Sequence, residues 1–352
     1  MRFRVPRTTA AIVLATTLVT RAAIADAPVT VAAVGDVALA WRVDTAVRTA
    51  QYDPFREVRS VLAGADLAMA NVECVITNAP EPRWPAANGQ PIIRATPTTG
   101  ALLANAGIDV GSVANNHAFD FSSRGALDTH RALRDAGVVP LGGGPSRDEA
   151  WQPFIRDIRG VRVGVLAIAE QLNHPPGQGA RVAMLDRRAV DAVRALEGRV
   201  DVVLLSIHWG HEFVAEPTAG QVALAHRLID AGADAIIGHH PHVLQSVEVY
   251  RERPIVYSLG NFVFGHQPSP RDLSAILELS LQRGPQPIAR ASLRPIVLRG
   301  RLGTPTPANT PALAAPVVAR LRSASARFRT TFTEREGVLD VTIPRTSPAR
   351  QP

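Results

Sequence analysis

A chain of 352 residues with 46% hydrophobic and 20% charged residues can bury a substantial core, which excludes disorder throughout. The formal net charge is +7, but every basic residue is Arg and none cluster with interleaved aromatics, which excludes a nucleic-acid footprint. The single cysteine, Cys74, excludes an internal disulfide, so packing or metal must hold the fold.

In chain order, Arg2, Arg4 and Arg7 precede an apolar stretch from Thr9 to Val19 and a small-residue site at Ala25-Asp26-Ala27. This pattern predicts a secretory signal over residues 1–27, cut after Ala27, and an exported protein, periplasmic or extracellular. The apolar stretch is well short of the roughly 20 residues that span a bilayer. No Cys by the cut suggests a lipid anchor, and no Arg-Arg pair marks twin-arginine export.

Val29 to Val34 reads as a buried strand ending at Gly35-Asp36, and Phe55 to Ala63 has helical spacing. Leu67 to Val72 is a second apolar strand, closing on Glu73. A Pro-rich loop follows, then a helix from Thr96-Pro97 to about Gly107. Asp109 to Val113 leads into Ala114-Asn115-Asn116-His117, and Gly125 to Ala136 is helical. Gly142-Gly143-Gly144 reads as a flexible turn. Val161 to Ile168 is a strand, Arg188 to Leu196 an amphipathic helix, and Asp201 to Ile207 a strand ending at His208-Trp209-Gly210. Gln221 to Ala231 is helical, and Ala233 to Ile237 is a strand leading into Gly238-His239-His240-Pro241-His242. Strand-like runs then cover Val256 to Leu259, Ile276 to Leu281 and Ala291 to Leu298. Strands and helices alternate, so the fold class is α/β. The main domain is expected over 28–302. The rest, 303–352, reads as a Pro/Ala/Thr-rich linker with a helix, a short strand and a loose tail from Thr346, packing on the same domain.

Polar residues recur just past the C-terminal ends of apolar strands, the edge where ligands gather in open α/β sheets. They are Asp36, Glu73, Asn116, His117, His208, His240 and His242. In an extended backbone His240 and His242 share a face and His239 points away. Carboxylates, an amide and imidazoles together suit Mn, Fe, Co or Zn and not an all-oxygen Ca site. Each alone has a plain structural explanation, as a turn, a cap or a core histidine; seven at successive strand ends do not. His130 and His226 fall inside predicted helices and are assigned to solvated faces. His174 and His266 sit in loops and are left unassigned. Cys74 has no basic neighbour to lower its pKa, so it reads as a small core side chain.

Six segments carry a family resemblance: Gly35-Asp36; Asn71-Val72-Glu73; Ala114 to Asp120; His208-Trp209-Gly210-His211-Glu212; Gly238 to Val243; and Tyr257 to Phe262. In this order they resemble the CapA family of capsule or poly-γ-glutamate synthesis proteins, similar in fold to the calcineurin-like metallophosphoesterases. The resemblance implies a layered α/β sandwich of the metallo-dependent phosphatase kind and one or two divalent transition metal ions. It implies Asp36, Asn116, His208, His240 and His242 as metal ligands, Glu73 in place of a bridging aspartate, and His117 as the donor of a proton to the leaving group. The superfamily's histidine two residues after the first aspartate is here Ala38, which puts one of the two metal sites in question. His239, His211, Glu212 and Asn261 are candidates to orient the ligands or contact substrate.

Paired ions would polarise an ester and activate water at neutral pH, with His117 placed to donate a proton. The resulting expectation is an exported metal-dependent hydrolase, phosphoesterase-like, acting on a phosphoester or an anionic polymer. The alternatives are a non-catalytic partner of envelope polymer-synthesis machinery, or a hydrolase of γ-glutamyl amide linkages.

Overall fold

A computed structural model describes residues 28–80, 91–265 and 268–344. The expected signal segment, His266 and the tail from Thr346 lie outside the described residues.

Apolar runs buried on both faces build the central strands of two main sheets. The larger runs in the order Phe332–Arg335, Val338–Val341, Ile288–Arg299, Leu273–Leu281, Val29–Val37, Leu67–Val72, Val110–Ser112, Val139–Leu141. Its last four strands are parallel, and Asn261–Val263 also pairs parallel with Val29–Val37. The smaller runs Val247–Tyr250, Arg253–Val256, Ala235–His239, Val202–His208, Val161–Ala169, Phe154–Ile158, with its four central strands parallel.

The side-chain period of two decides the layers. Val31, Ala33, Val163, Val165, Leu204 and Ile237 face one another in the core between the sheets. The alternate residues point outward, onto helices. Ala32 and Val34 join Val43, Leu62, Leu103 and Leu133 of the helices on the larger sheet. Leu166, Leu205 and Ile236 join Val193, Leu196, Ala225 and Leu228 of helices Arg188–Glu197 and Ala219–Asp230. The expected layered α/β sandwich is therefore observed as helix, sheet, sheet, helix. Among the described residues no helix is long and apolar enough to cross a membrane.

Parallel strands in both sheets deliver their C-terminal ends to one edge. There Asp36 pairs in register with Asn71 and Asn261, and His208 pairs with His239. Two glycines let these ends close up: a Cβ on Gly35 would sit 1.9 Å from Gly260 O, and one on Gly238 1.9 Å from Tyr257 O. No other residue fits either contact.

Several expectations for local structure change. The helix read over Phe55 to Ala63 is confined to Arg59–Ala63. Gly143–Gly144 is not a free turn but pairs with Arg181–Val182. The stretch expected as a linker is ordered: Thr304–Pro307 pairs with Ile288–Arg299, and helix Pro311–Ser325 starts within it. Composition misled because Thr and Pro also open helices. Thr310 accepts a hydrogen bond from Leu313 N, and Pro311 sits at the first helical position, where its missing N–H costs nothing.

That helix closes one side of the sandwich. Val317 and Leu321 enter the core between the sheets. Ser246 Oγ donates to Ala324 O at 2.7 Å, and Val247 N donates to Ser325 Oγ at 2.9 Å. Leu321→Ala is expected to lower unfolding free energy by about 2–5 kcal/mol, the usual cost of a buried Leu truncation. Urea denaturation checks this; a loss under about 0.5 kcal/mol, ordinary for a surface change, would show that the helix is not part of the core.

Candidate metal centre

The last residue of strand Ala235–His239 is His239, and the backbone then leaves the extended region. His240 has φ 97° and His242 φ 56°, both left-handed. Strand alternation therefore does not place these rings. The expectation that His239 points away from the site fails: it ends the strand beside Asp36, and left-handed backbone at His240 and His242, not strand alternation, places the other two rings. His239 Nδ1 lies 3.6 Å from Asp36 Oδ1, and His242 Nδ1 lies 3.3 Å from Asp36 Oδ2. Left-handed non-glycine positions typically cost about 1–3 kcal/mol each and persist where packing enforces them.

Glu73 lies at the middle of the cluster. Its Oε1 is 3.8 Å from His208 Nε2 and 3.6 Å from His242 Nε2, and it is buried without a hydrogen-bond partner. Three sets of residues bring possible ligand atoms within 4.8 Å of one another: Glu73, His208 and His240; Asp36, Glu73 and His242; Glu212, His240 and His242. Glu73 belongs to the first two and joins them. Asn116 Oδ1 sits 2.8 Å from His208 Nε2, at the edge of the first. A carboxylate common to two such sets suits a bridge between two cations.

Electrostatics favour a cation here. Burial, then the charge of Asp36, pushes the Glu73 carboxyl well above its ordinary value. Burial would raise Asp36 too, but the hydrogen bond and charge of His242, with His239 and Asn71, bring it below. Burial, then the other histidines, holds His208 well below the usual imidazole value. Burial and His242 lower His240 to about 3, and burial lowers His239 to about 4 despite Asp36. At neutral pH these rings are neutral and able to ligate.

His117 stands apart from the three sets. Its Nδ1 meets Asp120 Oδ2 at 2.8 Å, and it is near enough that its charge bears on His208 and His240. Asn261 Oδ1 meets His242 Nδ1 at 2.9 Å, and Asn261 Nδ2 donates to His242 O at 3.3 Å, fixing that ring. His239 is buried beside Asp36 but in none of the sets, and His211 is exposed at the rim. Glu212, expected to orient the ligands or contact substrate, comes into ligand reach of His240 and His242.

Four residues were missed. Asn71 Nδ2 donates to Asp36 Oδ1 at 2.8 Å and Glu73 Oε2 at 3.4 Å, and lies 3.2 Å from His208 Nδ1. It is two positions before Glu73, so strand alternation could have found it. Asp120, three residues after His117, carried a comparable signal. Gln171, whose Nε2 is 2.8 Å from His240 Nε2, carried none, nor did His174, buried 3.8 Å from Asp120 Oδ1. Of the histidines assigned to solvated faces, His226 is instead paired with Glu248 at 2.7 Å and stacked on Tyr250, and His130 is half-buried. Cys74 is buried, and burial pushes its thiol up to about 12.

Residues 30–266 match the family model described as bacterial capsule synthesis protein PGA_cap. The chain belongs to this family. All six motif segments of the PGA_cap protein lie inside the matched span, so the CapA resemblance is borne out. The chain is 31% identical over 262 residues to the capsule biosynthesis protein CapA of Bacillus anthracis, covering 72% of this chain and 64% of that protein. It thus spans just under two thirds of that relative. It is 28% identical over 260 residues to the PGA biosynthesis protein CapA of Bacillus subtilis strain 168, covering 71% and 67%. A crystal structure of a hypothetical protein from Thermus thermophilus aligns at a TM-score of 0.46 and 20% identity, covering 79% of this chain and 96% of that one.

Three neutral-held histidines set the pH response of the metal-free PGA_cap protein. His208, His239 and His240 bind fewer protons folded than unfolded below pH 6.5, so stability falls as pH drops from about 6.5 toward 4. The slope approaches about 1.4 kcal/mol per pH unit for each histidine. Glu73 and Asp234, raised by folding, act in the opposite sense, but two carboxyls do not offset these imidazoles together with the lowered His130 and Asp36. Calorimetry of metal-free protein is expected to show a lower melting temperature at pH 5 than at pH 7, with a shallower slope for His239→Asn. Equal melting temperatures at the two pH values would contradict this.

Proposed function

We propose that this PGA_cap protein is a metal-dependent hydrolase of the cell envelope, phosphoesterase-like in chemistry, acting on an anionic substrate. The observation that carries the reading is Glu73, buried with an unpartnered oxygen and common to two ligand sets. The relatives are named for capsule and PGA biosynthesis, which supports an envelope setting and polymer-making partners.

Asp36, Glu73 and His242 would hold one divalent ion, and Glu73, His208, His240 and Asn116 the other. Bound there, such ions lower the pKa of water and polarise the bond being cleaved. The remaining roles belong to the protein. Asp120 holds Nδ1 of His117, which leaves Nε2 to pass a proton to the leaving oxygen. Asn261 and Gln171 fix the rings of His242 and His240, as ligating histidines require. The Phe264 and Phe213 rings flank His242 at 4.6 and 5.9 Å, and the Arg271 guanidinium lies 4.6 Å over Phe213. This apolar lip with one cation suits an anionic group approaching the centre.

Protein reconstituted with Mn²⁺ or Zn²⁺ and offered an aryl phosphate is expected to turn it over. His117→Asn keeps a donor to Asp120 and should lower kcat about 10²–10⁴-fold with unchanged metal content. Poly-γ-glutamate is the second substrate, with chain length as the readout. Metal-bound wild type that cleaves neither would overturn the hydrolase reading in favour of a non-catalytic binding partner.

A further inference from the structure

The Asp36, Glu73 and His242 set lacks the ligand that the superfamily supplies two residues after the first aspartate. Position 38 cannot supply one. Ala38 is fully buried in the outer core with Val37, Leu39 and Val263, and its N–H donates to Val263 O at 2.6 Å. Its side chain belongs to the hydrophobic layer behind the site and carries no ligand atom.

Glu212 reaches the same place from another direction. It lies four residues past His208 on the loop before helix Ala219–Asp230 and is only partly buried. Its carboxylate comes within 4.8 Å of ligand atoms of both His240 and His242. Three carboxylates, Asp36, Glu73 and Glu212, thus approach His242, and among the described residues none is paired with an arginine. Like charges gathered in a buried site are unfavourable unless a cation lies between them. Two further groups point to that cation: Glu73 Oε1 and His240 Nδ1 are buried and unpartnered. Three carboxylates also match two divalent ions better than two do, leaving +1 in place of +2.

We propose that Glu212 is a metal ligand that takes the place of the histidine absent at Ala38, so that the centre holds two ions. The inference rests on the metal-centre reading above. It makes the second site depend on a loop side chain at the solvent rim, so that ion is the more weakly held of the two. The ion at Glu73, His208, His240 and Asn116 is enclosed by buried ligands, so it keeps its ligands without Glu212.

Elemental analysis and calorimetric titration of wild-type protein with Mn²⁺ test this, beside Glu212→Gln and the control Glu216→Gln. Glu216 follows on the same loop but pairs with Arg327 at 3.2 Å, away from the centre. The expected result is two ions per chain for wild type and the control, and one for Glu212→Gln. The other ion should be weakened by more than about 10–100-fold, the loss seen even for groups that only support a ligand. Glu212→Gln retaining two ions at wild-type affinity would overturn the inference and leave the metal centre standing. Wild type holding one ion, unchanged by Glu212→Gln, would do the same. Wild type holding none would overturn the metal-centre reading itself.

Discussion

The constraint on which the rest of the structure turns is the burial of the Glu73 carboxylate. It is wholly removed from solvent, faces Asp36, and has one oxygen without a partner. A buried carboxylate in that position costs several kcal/mol if ionised and unpaired. Beside it stand His208 and His240, which burial keeps neutral and which present lone pairs. The arrangement is poor as a salt-bridge network and well suited to cations.

The architecture delivers that arrangement with few parts. Parallel strands in two facing sheets end at one edge, and the glycines at 35 and 238 remove the side chains that would hold those ends apart. Left-handed backbone at His240 and His242 then bends the rings inward. The stability for such strain comes from the core between the sheets, which the helix Pro311–Ser325 completes from the side. Fold and site are coupled through that core, not through the turn itself.

Much of this was legible in the sequence. Continuous apolar runs gave the central strands, and the polar residue closing each run marked the edge of the site. The strand Leu67–Val72 and the helix Arg188–Glu197 follow their sequence patterns closely. What failed did so for identifiable reasons. His239, His240 and His242 were read on strand geometry, whereas the strand stops at His239. The Pro/Ala/Thr-rich start of 303–352 was read from composition alone, although Thr310-Pro311 is a helix start as readily as a linker. Gln171 and His174 sit on a loop whose path no local pattern dictates. Glu212 was recognised, but its reach toward His240 and His242 depends on how the loop after Gly210 folds back. Membership of the capsule synthesis family agrees with the motifs and leaves the chemistry to the residues.

The central claim is that Glu73 lies between two cations. Crystals of the Mn²⁺- or Zn²⁺-reconstituted protein, measured at the metal's absorption edge, test it directly through the anomalous difference map. The account predicts two peaks about 3.5–4 Å apart, one beside Asp36 and His242, the other beside His208 and His240, with the Glu73 carboxylate between them. A map with no peak within ligand distance of Glu73 would contradict it.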